Sequence, residues 1–256
     1  MIAVHGRGNF AAFLCFLEDS NTVGYTTTDT DAGKWSILGV QFEETNGGMH
    51  VNGLVSGLTG VDYDDSGTWK NTAPQIQVPN SAGGYTLYYY LNDAWDGSKG
   101  VPGWANSMGD LADTGVFTPG VAVWLKSVQL DATASVAGAV PETDSATVSC
   151  PENFALRANV YPEAVTINSA AMTSSDISGV DYDDGGTWKN TAPQIQVPNS
   201  AGGYTLYYYL NDAWDGSKGV PGWANSMGDL ASGTIPAAQG FWTKGVSAPF
   251  TLRFAK

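Results

Sequence analysis

Residues 68–112, TWKNTAPQIQVPNSAGGYTLYYYLNDAWDGSKGVPGWANSMGDLA, decide the fold, because the chain writes them twice. At an offset of 119, residues 61–112 recur as 180–231, and the two copies of 52 differ only at Ser66 against Gly185. Within the block, QIQV at 75–78 alternates polar and apolar with period two. The turn PNSAGG follows, and then YTLYYYL at 85–91, so the block predicts a β-hairpin with a loop longer than two residues. Alternation puts Tyr85, Leu87, Tyr89 and Leu91 on one face and Thr86, Tyr88 and Tyr90 on the other. Both faces are apolar or aromatic. Either each is covered, or Tyr88 and Tyr90 form an exposed platform. Residues 92–115 lose periodicity and read as a long aromatic loop, a feature that in compact domains is functional or specifically pinned.

Working outward, VGYTTT at 23–28 and KWSILGVQFEE at 34–44 read as strands, with MHVNGLV at 49–55 a weaker one. Beyond the block come GVAVWLKS at 120–127 and VQLDATASV at 128–136. The second half repeats this order with ATVSC at 146–150, FALRANVY at 154–161, QGFWTKG at 239–245 and FTLRFAK at 250–256. Trp124 aligns with Trp242, and both read as core. Helical periodicity is absent. The sequence thus predicts an all-β chain of two tandem, duplicated β-sandwich-like domains with long aromatic loops, at 21–140 and 141–256. Residues 1–20 stand outside the duplication.

Composition agrees. Only 14% of the 256 residues are charged, and 32 are glycine, a mix that suits short strands and turns and suits helices badly. A net charge of −14 argues against nucleic acid and against an anionic membrane surface. No stretch reaches the ~20 apolar residues of a membrane-spanning helix. Cys15 and Cys150 set no disulfide framework: one bridge or two thiols both fit. The N-terminal run FAAFLCFL reads as a mature segment, or one following a displaced translation start, more readily than as a signal peptide. Its Phe10, Phe13, Leu14, Phe16 and Leu17 need cover, either from the first domain or as a strand added to the open sheet edge of a second copy, which would build an oligomer or filament.

FALRANVYPEAVTIN at 154–168, followed by IPAAQGFWTK at 235–244, resembles a β-module recurrent in bacterial secreted and surface proteins. That module carries an Asn-Leu-x-x-Asn-Pro-Tyr-Pro stretch early and Pro-x-Gln-Gly-Phe-Trp-x-Lys late. Asn159, Tyr161 and Pro162 fit the early stretch, with Val160 in place of its first proline. Pro236, Gln239, Gly240, Phe241, Trp242 and Lys244 fit the late one. The first half keeps Pro119, Trp124 and Lys126 but reads GVQFEE where the Asn-Pro pair belongs. The resemblance implies an exported, extracellular or cell-surface, sandwich-like protein, and it assigns no catalytic residues.

His5 and His50 have no counterparts in the second half, and neither a Ser-His-Asp order nor HExxH, CxxC or a Walker loop is present. The chain therefore reads as non-enzymatic, with a carboxylate-pair glycosidase as the remaining catalytic alternative. DYDDSG at 62–67 has the opening of a calcium loop, with Asp62, Asp64 and Ser66 as oxygen ligands, but position twelve is Ala73 rather than Glu. The alternative is an acidic turn whose carboxylates bond nearby backbone N–H groups. Asp93, Asp96 and Asp110 offer a second set of oxygens for calcium. The other candidate surface is aromatic: Tyr88, Tyr90, Trp95 and Trp104, repeated as Tyr207, Tyr209, Trp214 and Trp223, beside carboxylates and amides that suit sugar rings. The alternative, which the residues favour, is that these rings fill a sandwich core or pin the loop onto it. The expected function is a structural or adhesive surface protein, with a bivalent carbohydrate-binding module as the alternative.

Overall fold

The chain is all-β in a computed structural model that describes residues 2–3, 10–15, 23–43, 49–54, 56–80, 84–112 and 116–256. In the first half the strands are β1 (Ile2–Ala3), β2 (Phe10–Cys15), β3 (Val23–Thr30), β4 (Trp35–Gly39), β5 (Met49–His50), β6 (Gln75–Pro79), β7 (Tyr85–Trp95), β8 (Gly100–Ala105), β9 (Val116–Phe117), β10 (Ala122–Lys126) and β11 (Ala132–Ala139). In the second half they are β12 (Ser145–Cys150), β13 (Ala155–Ala158), β14 (Val165–Thr166), β15 (Met172–Ser175), β16 (Gln194–Pro198), β17 (Tyr204–Trp214), β18 (Gly219–Ala224), β19 (Thr234–Ile235), β20 (Gly240–Lys244) and β21 (Phe250–Ala255). Helix is confined, among the described residues, to the single turns Val51–Leu54, Thr68–Asn71 and Trp188–Thr191. None of these is long and apolar enough to cross a membrane.

Each half sets a five-stranded antiparallel sheet against a smaller one. The orders β4-β10-β6-β7-β8 and β13-β20-β16-β17-β18 match strand for strand. Facing them are β1-β2-β3-β11 and β12-β21-β15. The first core is built from Leu38, Ile76, Tyr88, Trp104, Val123 and Leu125 against Ala134 and Val136. The second is built from Ile195, Tyr207, Trp223 and Phe241 against Val148, Cys150, Leu252 and Phe254. On the outer face of β7 a further layer forms, where Trp69 packs with Tyr89, Leu91 and Ala94. Both faces of the tyrosine strand are therefore covered, the first of the two options above, and Tyr88 and Tyr90 form no exposed platform.

The structure corrects other expectations. Much of the supposed loop 92–115 is strand: β7 continues to Trp95 and β8 returns beside it, Tyr90 opposite Trp104 and Trp95 opposite Gly100. The register shifts between Leu91 and Ala94, so a bulge hides the alternation that would have marked it. MHVNGLV is a two-residue strand followed by a helical turn, and the strand expected at 128–136 begins at Ala132. The segment outside the duplication is nonetheless part of a sheet. Phe10 to Cys15 of β2 pair with Thr28 to Val23 of β3 in the same chain, the backbone contact of the first cover option above. Phe16, Leu17 and His5 lie outside the described residues. Cys150 is an unbridged, buried thiol, and its burial pushes it up to about 11.

Trp124 and Trp242 are not sandwich core. Along β10, Val123 and Leu125 face inward, which leaves Ala122 and Trp124 on the opposite face. There Ile37, Ala122 and Trp124 meet Leu156, Ala158 and Trp242 in a cluster joining the halves. The backbone contacts come in matched pairs. Gly39 N–H donates to Ala238 O and Ala158 N–H to Gly120 O, each at 2.8 Å. Leu38 bridges Gln239 and Val121 bridges Arg157, both antiparallel. The buried Gln41 side chain fastens one side, donating to Tyr161 O and accepting from Ala238 N–H, each at 2.8 Å. The junction is close because a Cβ on Gly39 would lie 2.8 Å from that of Ala158, and one on Gly240 would lie 2.5 Å from that of Ala122.

Candidate functional site

The repeated block builds one site in each half, and it begins with the turn that precedes Trp69. The Asp64 carboxylate accepts from the Ser66 hydroxyl, the Thr68 hydroxyl (2.6 Å) and the backbone N–H groups of Thr68 (3.3 Å) and Trp69 (3.2 Å). These donors, Ser66 first and then Thr68, hold the Asp64 carboxyl well below the usual carboxylate range. Trp69 Nε1–H closes the turn on Asp64 O at 3.1 Å. Asp183 repeats the pattern with Thr187 and Trp188. Gly185 therefore removes one donor to the Asp183 carboxylate.

The other candidate metal ligands are occupied the same way. Asp62 accepts from Asn92 Nδ2 at 2.9 Å, and Asp93 accepts from Tyr63 N–H at 2.7 Å. Asp96 accepts from the Ser98 N–H, the Ser98 hydroxyl and the Lys99 N–H, each at 2.8 Å. Those bonds, Lys99 N–H first, hold the Asp96 carboxyl below the ordinary carboxylate range. Asp110 accepts from Asn106 Nδ2 at 3.3 Å. Among the described residues no three His, Cys, Asp or Glu side chains gather to hold a metal ion. Asp64, Asp96 and Asp110 thus accept hydrogen bonds within their own turns, Ser66 donates to Asp64, and Asp62 and Asp93 accept bonds that tie residues 60–64 to residues 92–93.

The aromatic candidates divide sharply. Trp104 and Trp223 are 0% and 2% exposed. Trp223 Nε1–H donates to Ser174 Oγ at 2.9 Å, and Trp104 Nε1 has no partner among the described residues. Tyr88 and Tyr207 are core, while Tyr90 and Tyr209 pack edge-on against Trp104 and Trp223 at 5.3 and 5.4 Å. Only Trp95 and Trp214 keep their rings in water, at 51% and 50% exposure. The bulge is responsible. It returns Ala94 to the buried face of Leu91 and turns Trp95 outward.

The backbone under Trp95 is firmly held. Its N–H donates to Gly109 O at 2.9 Å and its carbonyl accepts from Leu111 N–H at 2.8 Å, while Gly100 of β8 pairs on the other side. Gly109 also lies beneath Tyr63, where a Cβ would sit 2.5 Å from two ring carbons. Tyr63, at 39% exposure, leans on the buried Trp69 at 5.7 Å, and Met108 beside Gly109 is 70% exposed. Tyr63, Trp95 and Met108 are thereby anchored around one glycine, and Asp62, Asn92, Asp93, Asp96 and Ser98, neighbours of Tyr63 or Trp95 along the chain, are exposed. Tyr182, Trp214 and Met227 form the second copy around Gly228. Sequence reasoning missed Tyr63 and Met108. The available signal was a tyrosine set among aspartates, one Met-Gly turn away from the tryptophan strand.

A half-exposed tryptophan leaves roughly 100 Å² of ring surface in water, worth about 2–3 kcal/mol if a ligand covers it. Because the backbone is fixed by ladder bonds on both sides, little ordering entropy is lost on contact. Each carboxylate also retains acceptor capacity beyond its backbone bond. The patch can stack a flat apolar face and bond hydroxyls at its rim. Comparison of the chain with models of known protein families finds no match, and comparison with curated proteins finds none either.

Proposed function

We propose that the chain comprises two tandem, duplicated sandwich-like domains of a non-enzymatic extracellular or cell-surface protein, structural or adhesive in type, which meets its partner through the Trp95 and Trp214 patches. The observation that carries this reading is the equal exposure of these two rings, 51% and 50%, on backbone pinned by the same hydrogen bonds in both halves. Export is supported by the resemblance of 154–168 and 235–244 to the bacterial surface module, and the low charge content suits such a scaffold. Assembly through the N-terminal strand would first have to unpair β2 from β3, so the patches are the better contact surface.

A bivalent carbohydrate-binding module is the second reading, favoured by the exposed carboxylates and amides near each tryptophan along the chain. The test is adherence of the fluorescently labelled protein to bacterial cells and their extracellular matrix. The double variant Trp95→Ala/Trp214→Ala is expected to lose adherence while keeping its Tm within about 2 °C, since half-exposed rings contribute little to the core. Undiminished adherence of that variant would overturn the reading.

A further inference from the structure

The relative direction of the two halves fixes where the patches lie. β4 is antiparallel to β10. Leu38 of β4 makes an antiparallel bridge to Gln239, which leads straight into β20. Both β10 and β20 therefore run opposite to β4 and in the same direction as each other. The bridge from Val121 to Arg157 gives the same answer through β13. In each sheet the long tyrosine strand runs with this pair, because β6 is antiparallel to both β10 and β7, and β16 to both β20 and β17. β7 and β17 thus point the same way, and Trp95 and Trp214 stand at their leading ends.

The register sets the height. Gln75 pairs with both Lys126 and Tyr89, and Gln194 with both Lys244 and Tyr208. The tryptophans lie six residues beyond that level, on the side away from the small-residue contact of Gly39, Ala122, Ala158 and Gly240. The halves are joined at one end and carry both patches at the other.

We infer that the two patches form one composite face, which grips a single extended neutral carbohydrate polymer at two points; this rests on the reading of the patches as contact surfaces. Chemistry favours the polymer. Exposed tryptophan and tyrosine rings cover sugar C–H faces, and aspartate and asparagine at the rim bond hydroxyls. A chain of net charge −14 meets no repulsion from a neutral glycan. Two identical patches suit a ligand that repeats, as a polysaccharide does. Because the patches share one end, the second contact is intramolecular and raises affinity by avidity.

The experiment compares wild type, Trp95→Ala, Trp214→Ala and the double variant, each with its fold verified by circular dichroism, on films of cellulose, chitin and xylan and on the matching soluble hexasaccharides. For at least one polymer, each single variant is expected to bind about 100-fold more weakly than wild type. On the hexasaccharide it should keep the per-site affinity and lose half the stoichiometry, and the double variant should bind neither. Single variants that hold the polymer within about twofold of wild type would overturn the composite face and leave two independent sites. Wild type that binds none of the three polymers would overturn the carbohydrate class. Polymer binding undiminished in the double variant would remove the patches themselves, and with them the proposed function.

Discussion

Trp124 meets Trp242 edge-on across the junction, ring centroids 6.1 Å apart and planes at 60°. Each is flanked by its own half's aromatic, Trp35 at 6.4 Å and Phe154 at 6.0 Å. One level away Gly240 lies against Ala122, and Gly39 against Ala158. Each close contact thus pairs one glycine with one alanine, so only one methyl occupies each gap.

That pairing makes Gly240→Ala a sharp test. The added methyl meets Ala122 Cβ at 2.5 Å and Ile37 closer still, and overpacking of this kind costs about 1–3 kcal/mol. Urea unfolding should show the loss, and Ala122→Gly in the same background should recover part of it. Equal stability of Gly240→Ala and wild type would contradict the junction geometry.

Two hydroxyls offer the opposite sign. Thr26 and Thr28 are buried on β3 with Oγ1 atoms lacking partners among the described residues. Thr26 sits opposite Val136, as Val148 sits opposite Leu252 in the other half. Thr26→Val replaces a desolvated hydroxyl by a methyl of like shape, which should stabilise by about 1–2 kcal/mol. Calorimetry should show Tm rising by about 2–6 °C. A fall in Tm would mean that the hydroxyl is bonded.

Acid should weaken the fold through the turns. The carboxyls of Asp64, Asp96, Asp183 and Asp215 are all lowered from 3.8 by hydrogen bonds to the charged form. A depressed folded-state pKa contributes stability that is complete above the unfolded value and is lost as pH falls through the folded one. Tm should therefore be level above about pH 5 and fall progressively below about pH 4. Asp64→Asn/Asp183→Asn should flatten that acid limb, and an unchanged limb would contradict the assignment.

Much of this was legible in the sequence. The period-two hairpin β6–β7 and strands β3, β10, β12 and β20 could be read from residues alone. β8 could not: GVPGWA has no alternation, and it is a strand because β7 lies beside it. Nor could Trp95 be told from Trp104. Both stand among small and polar residues, and only the bulge after Leu91 turns one into water and leaves the other inside. Trp124 alternated like a core residue because it is covered, but by the other half of the chain.

Cys150 separates the fold from its chemistry. Fully buried, with its thiol pushed up to about 11, it should not react with Ellman's reagent at pH 8 in a Cys15→Ser variant until the protein unfolds. Rapid reaction of the native protein would place that thiol at the surface.

The central claim, two equivalent patches side by side at one end, is tested most directly by a distance. Nitroxides would be placed at Ser98→Cys and Ser217→Cys, the exposed tips beside Trp95 and Trp214, in a background of Cys15→Ser and Cys150→Ala, and read by double electron–electron resonance. With strands about 4.8 Å apart and sheets about 10 Å apart, patches pointing the same way should lie about 20–40 Å from each other. A distribution centred beyond about 60 Å, as expected for long strands pointing in opposite directions, would contradict the account.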